Sequence, residues 1–236
     1  MLHGEYEGVK TMYETGTIRV PRPICKEGGD EPFAVYEYLN LSGGGDDFEM
    51  GRKLAKMHRC LSPNSMHGFH VPNTIGSTPQ SNTWSSTWSD FYVEHRFKAI
   101  LKSCGGLGYS PPEIDACCAV IATELSRHSP QPSLLHGDLW GGNRGYADGE
   151  PVIFDPATYY GDREADIAMT RLFGGYSGKF YEGYEEEWPL EEGFEERRKT
   201  IYNFYHIANH YAMFGGMYYN QARQMFDSIL NNNYPD

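Results

Sequence analysis

The residues with the clearest chemical potential form one short run and one later aspartate. His136, Asp138 and Asn143 lie in the run His-Gly-Asp-Leu-Trp-Gly-Gly-Asn, and Asp155 follows in the run Ile-Phe-Asp-Pro. Phosphoryl transfer from ATP needs a carboxylate beside the acceptor hydroxyl and oxygen ligands that hold Mg²⁺ on the phosphates. An H-x-D-x-x-x-x-N loop followed by a strand-borne aspartate supplies these groups. The pattern therefore predicts that Asp138 accepts the hydroxyl proton and that Asn143 and Asp155 bind Mg²⁺.

Each of these two clusters follows a short apolar run with the composition of a strand. Residues 134–136 precede the catalytic run and residues 152–154 precede Asp155, so we expect the two runs to form a small hairpin that carries both clusters. A turn and a strand end could each explain one such polar residue. Four polar residues in this order and spacing favour the catalytic interpretation.

The rest of the chain predicts a short α/β segment joined to a large helical part. A β-prone run at 33–39 is followed by a break at 43–47, where an aspartate is placed to cap the next helix. Apolar residues with helical spacing predict an amphipathic helix at 47–61, and helical patterns dominate the chain beyond it. We therefore predict an α+β fold with two units, residues 1–40 and residues 41–236.

Composition excludes several broad classes of protein. The 236 residues contain 20 basic and 32 acidic side chains, for a net charge of −12, which argues against binding to nucleic acid or to a membrane surface. The sequence predicts no transmembrane helix and no signal peptide. Five cysteines without a C-x-x-C pair fit reduced thiols. A cytoplasmic protein is expected.

Three weaker signals have structural explanations. His206 and His210 have the i, i+4 spacing of some zinc sites, but Ile207 stands where a metalloprotease needs a glutamate, which favours structural or substrate-lining histidines. Cys117 and Cys118 lie on an apolar helical face and are predicted to be core residues. The glutamates at 185–187 and 191–192 are predicted to form a solvated surface.

Several runs together resemble the fructosamine kinase (ketosamine 3-kinase) family. The matching runs are residues 134–143, 151–157, 160–166 and 173–175, with further matches at 82–84, Trp88 and 54–58. That family is similar to the aminoglycoside and choline phosphotransferases. The resemblance implies a protein-kinase-like fold, here with a truncated small N-lobe and a mostly helical C-lobe. It covers nearly the whole chain.

The resemblance also implies an activity. Family members are ATP- and Mg²⁺-dependent kinases of the sugar 3-hydroxyl of ketosamines, either as small molecules or as fructosamine adducts on protein lysines. The product is unstable, so the reaction removes the sugar adduct. Gly137 stands where protein kinases have an arginine, and no A-P-E segment follows Asp155. Both features favour a small-molecule acceptor over a protein hydroxyl.

In the catalytic part of the chain, the resemblance and the residue pattern together give roles to five residues. Asp138 resembles the catalytic base, and Asn143 and Asp155 resemble the Mg²⁺ ligands. Asp166 resembles the helix aspartate that holds the catalytic loop in place, and His136 supports the same loop.

On the nucleotide side, Glu5 resembles the helix glutamate that pairs with the ATP-binding lysine. Glu37 to Leu39 would be the hinge, where backbone groups hydrogen-bond adenine. Trp140 could pack on a sugar ring or could be a loop anchor buried between helices.

The expected Gly-rich strand-turn-strand and its lysine are not found before the hinge, so we expect an N-lobe that lacks its first part. Two alternatives to the ketosamine kinase stay open. One is a kinase of another small alcohol, choline-like or aminoglycoside-like. The other is a truncated, non-catalytic binding module.

Overall fold

The amino-terminal part of the protein is one helix packed on a two-stranded antiparallel sheet. This computed structural model describes residues 1–29, 31–42 and 44–234, so Gly43 of the predicted break lies outside the described residues. The first elements are α1 (Leu2–Thr15), β1 (Pro23–Glu27) and β2 (Phe33–Tyr36). The run predicted as a strand over 33–39 is a strand only to Tyr36. Its last ladder-like bond runs from Glu37 N–H to Arg22 O at 2.9 Å, after which the chain leaves the sheet.

Helices form most of the remaining structure. They are α2 (Asp47–His58), α3 (Trp88–Tyr92), α4 (Lys98–Ser103), α5 (Pro111–His128), α6 (Arg163–Leu172), α7 (Gly178–Glu187), α8 (Lys199–Phe214) and α9 (Tyr219–Leu230). The Asp46 side chain accepts the Glu49 N–H at 3.1 Å, which confirms the predicted helix cap. Within the described residues, no helix is both long and apolar enough to cross a membrane.

Short strands interrupt the helices and carry the catalytic run. They are β3 (Leu41–Ser42), β4 (Asn73–Ile75), β5 (Thr78–Gln80), β6 (Ser133–Leu135), β7 (Arg144–Ala147), β8 (Glu150–Ile153) and β9 (Tyr159–Gly161). They form a three-stranded sheet in the order β3-β7-β8, a β4-β5 hairpin and a β6-β9 pair, all antiparallel.

The predicted hairpin between the runs at 134–136 and 152–154 is wrong. β6 pairs with β9, and β8 pairs with β7. The reason lies in the Asp148-Gly149 dipeptide, whose φ values of 54° and 81° fit the two-residue turn that closes tight hairpins. This local turn gives β8 the neighbouring β7 as its partner, and it leaves β6 to pair with a later strand.

The helical part is held by a buried aromatic and apolar core. Trp88, Phe91 and Tyr159 stack on one another, and the Trp88 indole N–H donates to the Tyr202 hydroxyl at 3.0 Å. The predicted core placement of Cys117 and Cys118 is confirmed, since both are buried, and all five cysteines are unpaired.

The prediction of a solvated acidic surface is wrong for Glu187. Its carboxylate lies 2.8 Å from the Arg52 guanidinium and 3.6 Å from the Lys56 ammonium, and its side chain is mostly covered. The contact ties the end of α7 to α2. The glutamates at 185–187 and 191–192 therefore include one that joins two helices as well as exposed side chains.

The amino-terminal elements contact the helical part directly. Arg19 bridges to Val152 of β8, and Ile153 N–H donates to Arg19 O at 3.1 Å. Within α1, the Glu7 carboxylate lies 3.5 Å from the His70 ring. A Cβ at Gly8 of α1 would lie 2.7 Å from Thr158 Oγ1, so α1 packs beside the segment that follows Asp155. The division at residue 40 stays a prediction.

Candidate active site

A buried aspartate fixes the backbone of the catalytic run. Asp166, on the first turns of α6, accepts the backbone N–H groups of His136 at 2.7 Å and Gly137 at 2.8 Å. His58 at the end of α2 lies 3.2 Å from the same carboxylate. Burial alone would raise the pKa of Asp166. The hydrogen bond and charge interaction with His58, together with the Gly137 backbone N–H, hold that pKa below its usual value. The predicted support role of Asp166 therefore has a matching geometry.

The helix that carries Asp166 is itself held at its start. Asp162 caps α6 by accepting the Glu164 N–H at 3.0 Å, and its carboxylate lies 2.8 Å from the buried His128 ring. Glu164 accepts the Arg198 Nε–H at 2.7 Å. These buried contacts join α6 to α5 and to the start of α8, and they restrict movement of Asp166.

His136 joins the catalytic run to the strand-end aspartate. Its Nε2 lies 2.9 Å from Phe154 O, and its Nδ1 lies 3.2 Å from the Asp138 backbone N–H. One ring nitrogen must donate and the other accept, so the imidazole is neutral in this arrangement. Burial lowers the pKa of His136, in agreement with a neutral ring. The predicted supporting residue thus spans both halves of the site.

Gly137 is required by a close backbone approach. Its φ is +83°, and a Cβ at this position would lie 2.1 Å from Ala157 O. The run after β6 therefore presses against the segment after Asp155. Protein kinases have an arginine at the corresponding position. In this protein an arginine could not replace Gly137 without moving one of the two segments.

Asn143 contacts both Asp138 and Asp155. The Asn143 amide donates to Asp138 O at 2.9 Å and to Asp155 O at 3.2 Å, and it lies 3.5 Å from the Asp138 carboxylate. Burial, with the nearby charges of Asp155 and Asp166, raises the pKa of Asp138 to about 7. This places a proton acceptor with near-neutral pKa beside two oxygen-bearing side chains.

The residues present fit a divalent cation. No lysine or arginine of the described chain pairs with Asp138 or Asp155, so their charge is left without a cationic partner. The Asn143 amide N–H groups point to backbone oxygens, which leaves its carbonyl oxygen for a ligand. Asp155 has φ of +58°, an uncommon conformation for a residue with a side chain and one that clusters at functional sites.

Glu5 lies on the same side of the site as Asp155. Burial, followed by the charge of Asp155, raises the pKa of Glu5, and Tyr36 of β2 is its neighbour. Within the described residues no lysine pairs with Glu5, and Lys26 of β1 bonds Glu7 instead. Within the described residues, Glu5 therefore feels the charge of Asp155 and lacks the expected lysine partner.

The predicted hinge follows β2. The Glu37 carboxylate is 3.3 Å from the Arg19 guanidinium and accepts the Arg22 N–H at 3.2 Å, so its side chain is occupied. Across the described chain, neither Glu37 O nor the Leu39 backbone takes part in a hydrogen bond. These backbone groups are the ones that a hinge offers to adenine.

Trp140 is partly exposed at the outer side of the catalytic run. Its indole lies over Gly142, where a Cβ would be 2.2 Å from the ring, and 42% of the residue is exposed. It is therefore not the buried loop anchor that was the alternative. Gly141 beside it packs closely on Gly174 and Gly175.

Two supporting residues were given no role from the sequence. His58 was recognised only as part of a matching helix end, and it bonds both Asp166 and the Tyr184 hydroxyl. Arg144 bonds Asp47 at 2.7 Å and also bonds Gly175 O. It thereby holds the segment that packs on Gly141. The sequence signal that could have identified Arg144 as a supporting residue was its position directly after Asn143.

His206 and His210 follow the structural interpretation. His206 is buried, and burial lowers its pKa to about 3. His210 Nδ1 lies 2.8 Å from His206 O, within the helix. In the part of the chain that the structure describes, neither histidine belongs to a group of metal-ligating side chains.

Comparison with known proteins identifies the relatives of this chain. The family model described as fructosamine kinase matches residues 1–232. A Synechocystis protein named "Probable ketoamine kinase" is 43% identical over 234 residues, which cover 98% of this chain and 79% of the relative. An Arabidopsis thaliana protein named protein-ribulosamine 3-kinase, chloroplastic, is 41% identical, with 98% and 72% covered.

Solved structures agree in fold. A Haemophilus somnus protein described as "Putative fructosamine-3-kinase" superposes with a TM-score of 0.89 at 32% identity, covering 98% of this chain and 79% of that one. An aminoglycoside phosphotransferase matches with a TM-score of 0.61 at 13% identity, covering 97% and 83%. This confirms the predicted α+β, protein-kinase-like fold. With the catalytic run in place and the family model spanning nearly every residue, the chain belongs to the fructosamine kinase family.

Proposed function

We propose that this member of the fructosamine kinase family transfers the γ-phosphoryl group of ATP to the 3-hydroxyl of a ketosamine. The observation that carries the proposal is the position of Asp138, which the Asn143 amide ties to Asp155 across distances of 2.9 and 3.2 Å. Both contacts are to backbone carbonyl oxygens, and together with the effect of the Asp155 charge on Asp138 they support a site that joins the proposed proton acceptor to the two proposed metal ligands. Relatives with kinase names over nearly the whole chain support the same activity.

In the proposed reaction, the sugar hydroxyl oxygen attacks the γ-phosphorus. A bond forms between that oxygen and phosphorus, and the bond from phosphorus to the β-phosphate oxygen breaks, so ADP leaves. The hydroxyl proton passes to Asp138, whose raised pKa of about 7 makes it an effective acceptor near neutral pH. Asp166 keeps the backbone of the catalytic run from moving during the transfer.

Asn143 and Asp155 would hold Mg²⁺ through their side-chain oxygens. The ion neutralises the phosphate charge when it is bound. Such a cation also offsets the repulsion among Asp155, Asp138 and Glu5, which the pKa shifts of Asp138 and Glu5 reflect. Glu37 O and the Leu39 backbone would orient the adenine at the hinge.

Ketosamine small molecules and glycated protein lysines are the proposed acceptors. The Trp140 indole is partly exposed, and in this proposal it packs on the sugar ring. The names of the plant relatives point to ribulosamines on proteins. A cytoplasmic location and the absence of nucleic-acid partners stay predictions.

The test is a direct search for product. The protein is incubated with ATP, Mg²⁺ and a fructosyl or ribulosyl amine, and mass spectrometry follows the gain of one phosphoryl group. Asp138→Asn should lower the rate by about 10²–10⁴-fold. The exposed Asp148 of the β7–β8 turn provides the matched control, and Asp148→Asn should keep the rate. Unchanged turnover in Asp138→Asn would refute the assignment of the base.

A substrate panel separates the alternatives. Phosphorylation of choline or an aminoglycoside, but not of a ketosamine, would favour a kinase of another alcohol. The lack of a lysine partner for Glu5 within the described residues favours the binding-module alternative. That alternative predicts ketosamine binding by calorimetry with no phosphorylated product, even at high ATP concentration.

A further inference from the structure

An exposed aromatic surface lies next to the catalytic run. Phe173 is 40% exposed and Phe214 is 66% exposed. The His210 ring lies between them, with its centre 4.8 Å from the Phe173 ring and 5.6 Å from the Phe214 ring. We call Phe173, His210 and Phe214 the aromatic ledge. Large apolar side chains this exposed mark contact surfaces when they are contiguous.

The ledge is connected to the catalytic run by direct packing. Phe173 is followed by Gly174 and Gly175, and both contact Gly141. Trp140, directly before Gly141, is also exposed. The ledge is therefore continuous with the catalytic loop through the contact of Gly141 with Gly174 and Gly175.

The chemistry of a ketosamine suggests what this surface would contact. The sugar carries a secondary amine that is cationic near neutral pH, and in a glycated protein this nitrogen ends the four-carbon chain of a lysine. Ring faces attract an ammonium group, and they also pack well on methylene groups. None of the three ledge side chains is a carboxylate, so recognition there would come from ring faces.

We propose that the aromatic ledge binds the substituent on the ketosamine nitrogen and selects adducts on lysine side chains of polypeptides over adducts on short amines. The inference rests on the proposed function, since it places the sugar beside Asp138. Phe214 is the sharpest probe because most of its surface is exposed, so its removal leaves the core intact.

Calorimetry tests the inference without requiring turnover. Two ligands are compared: a short peptide with a fructosyl group on its lysine, and N-fructosyl methylamine. The wild-type chain should bind the peptide adduct more tightly. Phe214→Ala should weaken the peptide adduct by about five- to tenfold and the methylamine adduct by less than about twofold. Phe33→Ala, a control at a residue of β2 that is 44% exposed, should change neither affinity.

Each result decides the inference. Equal weakening of both ligands, no weakening by Phe214→Ala, or no wild-type preference would overturn it. Failure of both ligands to bind would overturn it as well. Selective binding without phosphoryl transfer would uphold the ledge and refute the kinase proposal. Phosphoryl transfer without selectivity would uphold the kinase and refute the ledge.

Discussion

The two sides of the candidate site are built in opposite ways. On the C-lobe side, the Asp166 carboxylate accepts two backbone N–H groups and faces the His58 ring, all in a buried setting. On the nucleotide side, burial and the charge of Asp155 raise the pKa of Glu5, and no lysine or arginine of the described chain pairs with Glu5. The first carboxylate has a lowered pKa, and Glu5 has a raised one.

The difference shows that the backbone of the catalytic run is preorganised, whereas the nucleotide side depends on a ligand. A buried carboxylate with several donors is stable in its charged form, and it fixes the backbone before any ligand arrives. Clustered acids without a cationic partner are costly until a cation binds. The contacts of the catalytic run are therefore complete within the protein, whereas the proposed nucleotide side would be completed by its ligands.

The largest expected effect is on the C-lobe side. Asp166→Asn removes a buried charge that holds two backbone N–H groups, and we expect the free energy of unfolding to fall by about 3 kcal/mol. Urea denaturation measures this loss. The exposed Asp148 gives the control: Asp148→Asn should stay within about 0.5 kcal/mol of wild type. Equal stability of the two variants would show that Asp166 is not the fixed point of the loop.

The second largest expected effect is a loss of folding stability in the C-lobe at acidic pH. Burial lowers the pKa of His67 to about 4. Between about pH 6.5 and about pH 4, His67 is therefore protonated in the unfolded chain but neutral in the folded protein. Stability is then lost as pH falls through that window, by up to about 3 kcal/mol. Glu5 acts in the opposite direction, because its raised pKa makes the folded state take up its proton first.

Thermal unfolding at about pH 7 and about pH 5 measures this loss. His67→Gln should show a smaller drop in Tm between these conditions than wild type. The exposed His70 serves as control, and His70→Gln should keep the wild-type drop. A drop of the same size in all three proteins would contradict the role of His67.

Removal of Mg²⁺ is expected to act only on the nucleotide side. With chelator present, the affinity for ATP should fall by at least about tenfold, because phosphates would then face the uncompensated charges of Asp155 and Glu5. Calorimetric titration of ATP gives the affinity, and the Tm of the ligand-free protein should not change. A chelator that lowered the Tm of the ligand-free protein would contradict the distinction between the two sides.

The smallest expected effect is at Glu5. Glu5→Gln removes one of two neighbouring acids, so the free energy of unfolding should stay the same or rise by up to about 1 kcal/mol. Urea denaturation beside Asp166→Asn makes the comparison direct. A clear destabilisation by Glu5→Gln would mean that Glu5 has a stabilising partner, and the contrast between the two sides would fail.

Much of the site could be predicted because its signals are local. The order His136, Asp138, Asn143 and the later Asp155 pointed to one reaction, and a capped helix start at Asp46 was readable from residue types. The pairing of β6 and β8 was predicted wrongly. The Asp148-Gly149 turn decides the partner of β8, whereas the partner of β6 is β9, which lies more than twenty residues away.

The sequence by itself determined the α+β class and the family resemblance, and it predicted the candidate catalytic residues, because each depends on residue type and short spacing. Only the tertiary structure decided that His58 and Arg144 support the site, that Trp140 is partly exposed, and that the charge of Asp155 acts on Glu5 while no lysine among the described residues pairs with Glu5. These facts depend on which distant segments meet and on how much water they exclude. Burial and the charges of neighbours set the pKa values, and neither is written in the spacing of residues along the chain.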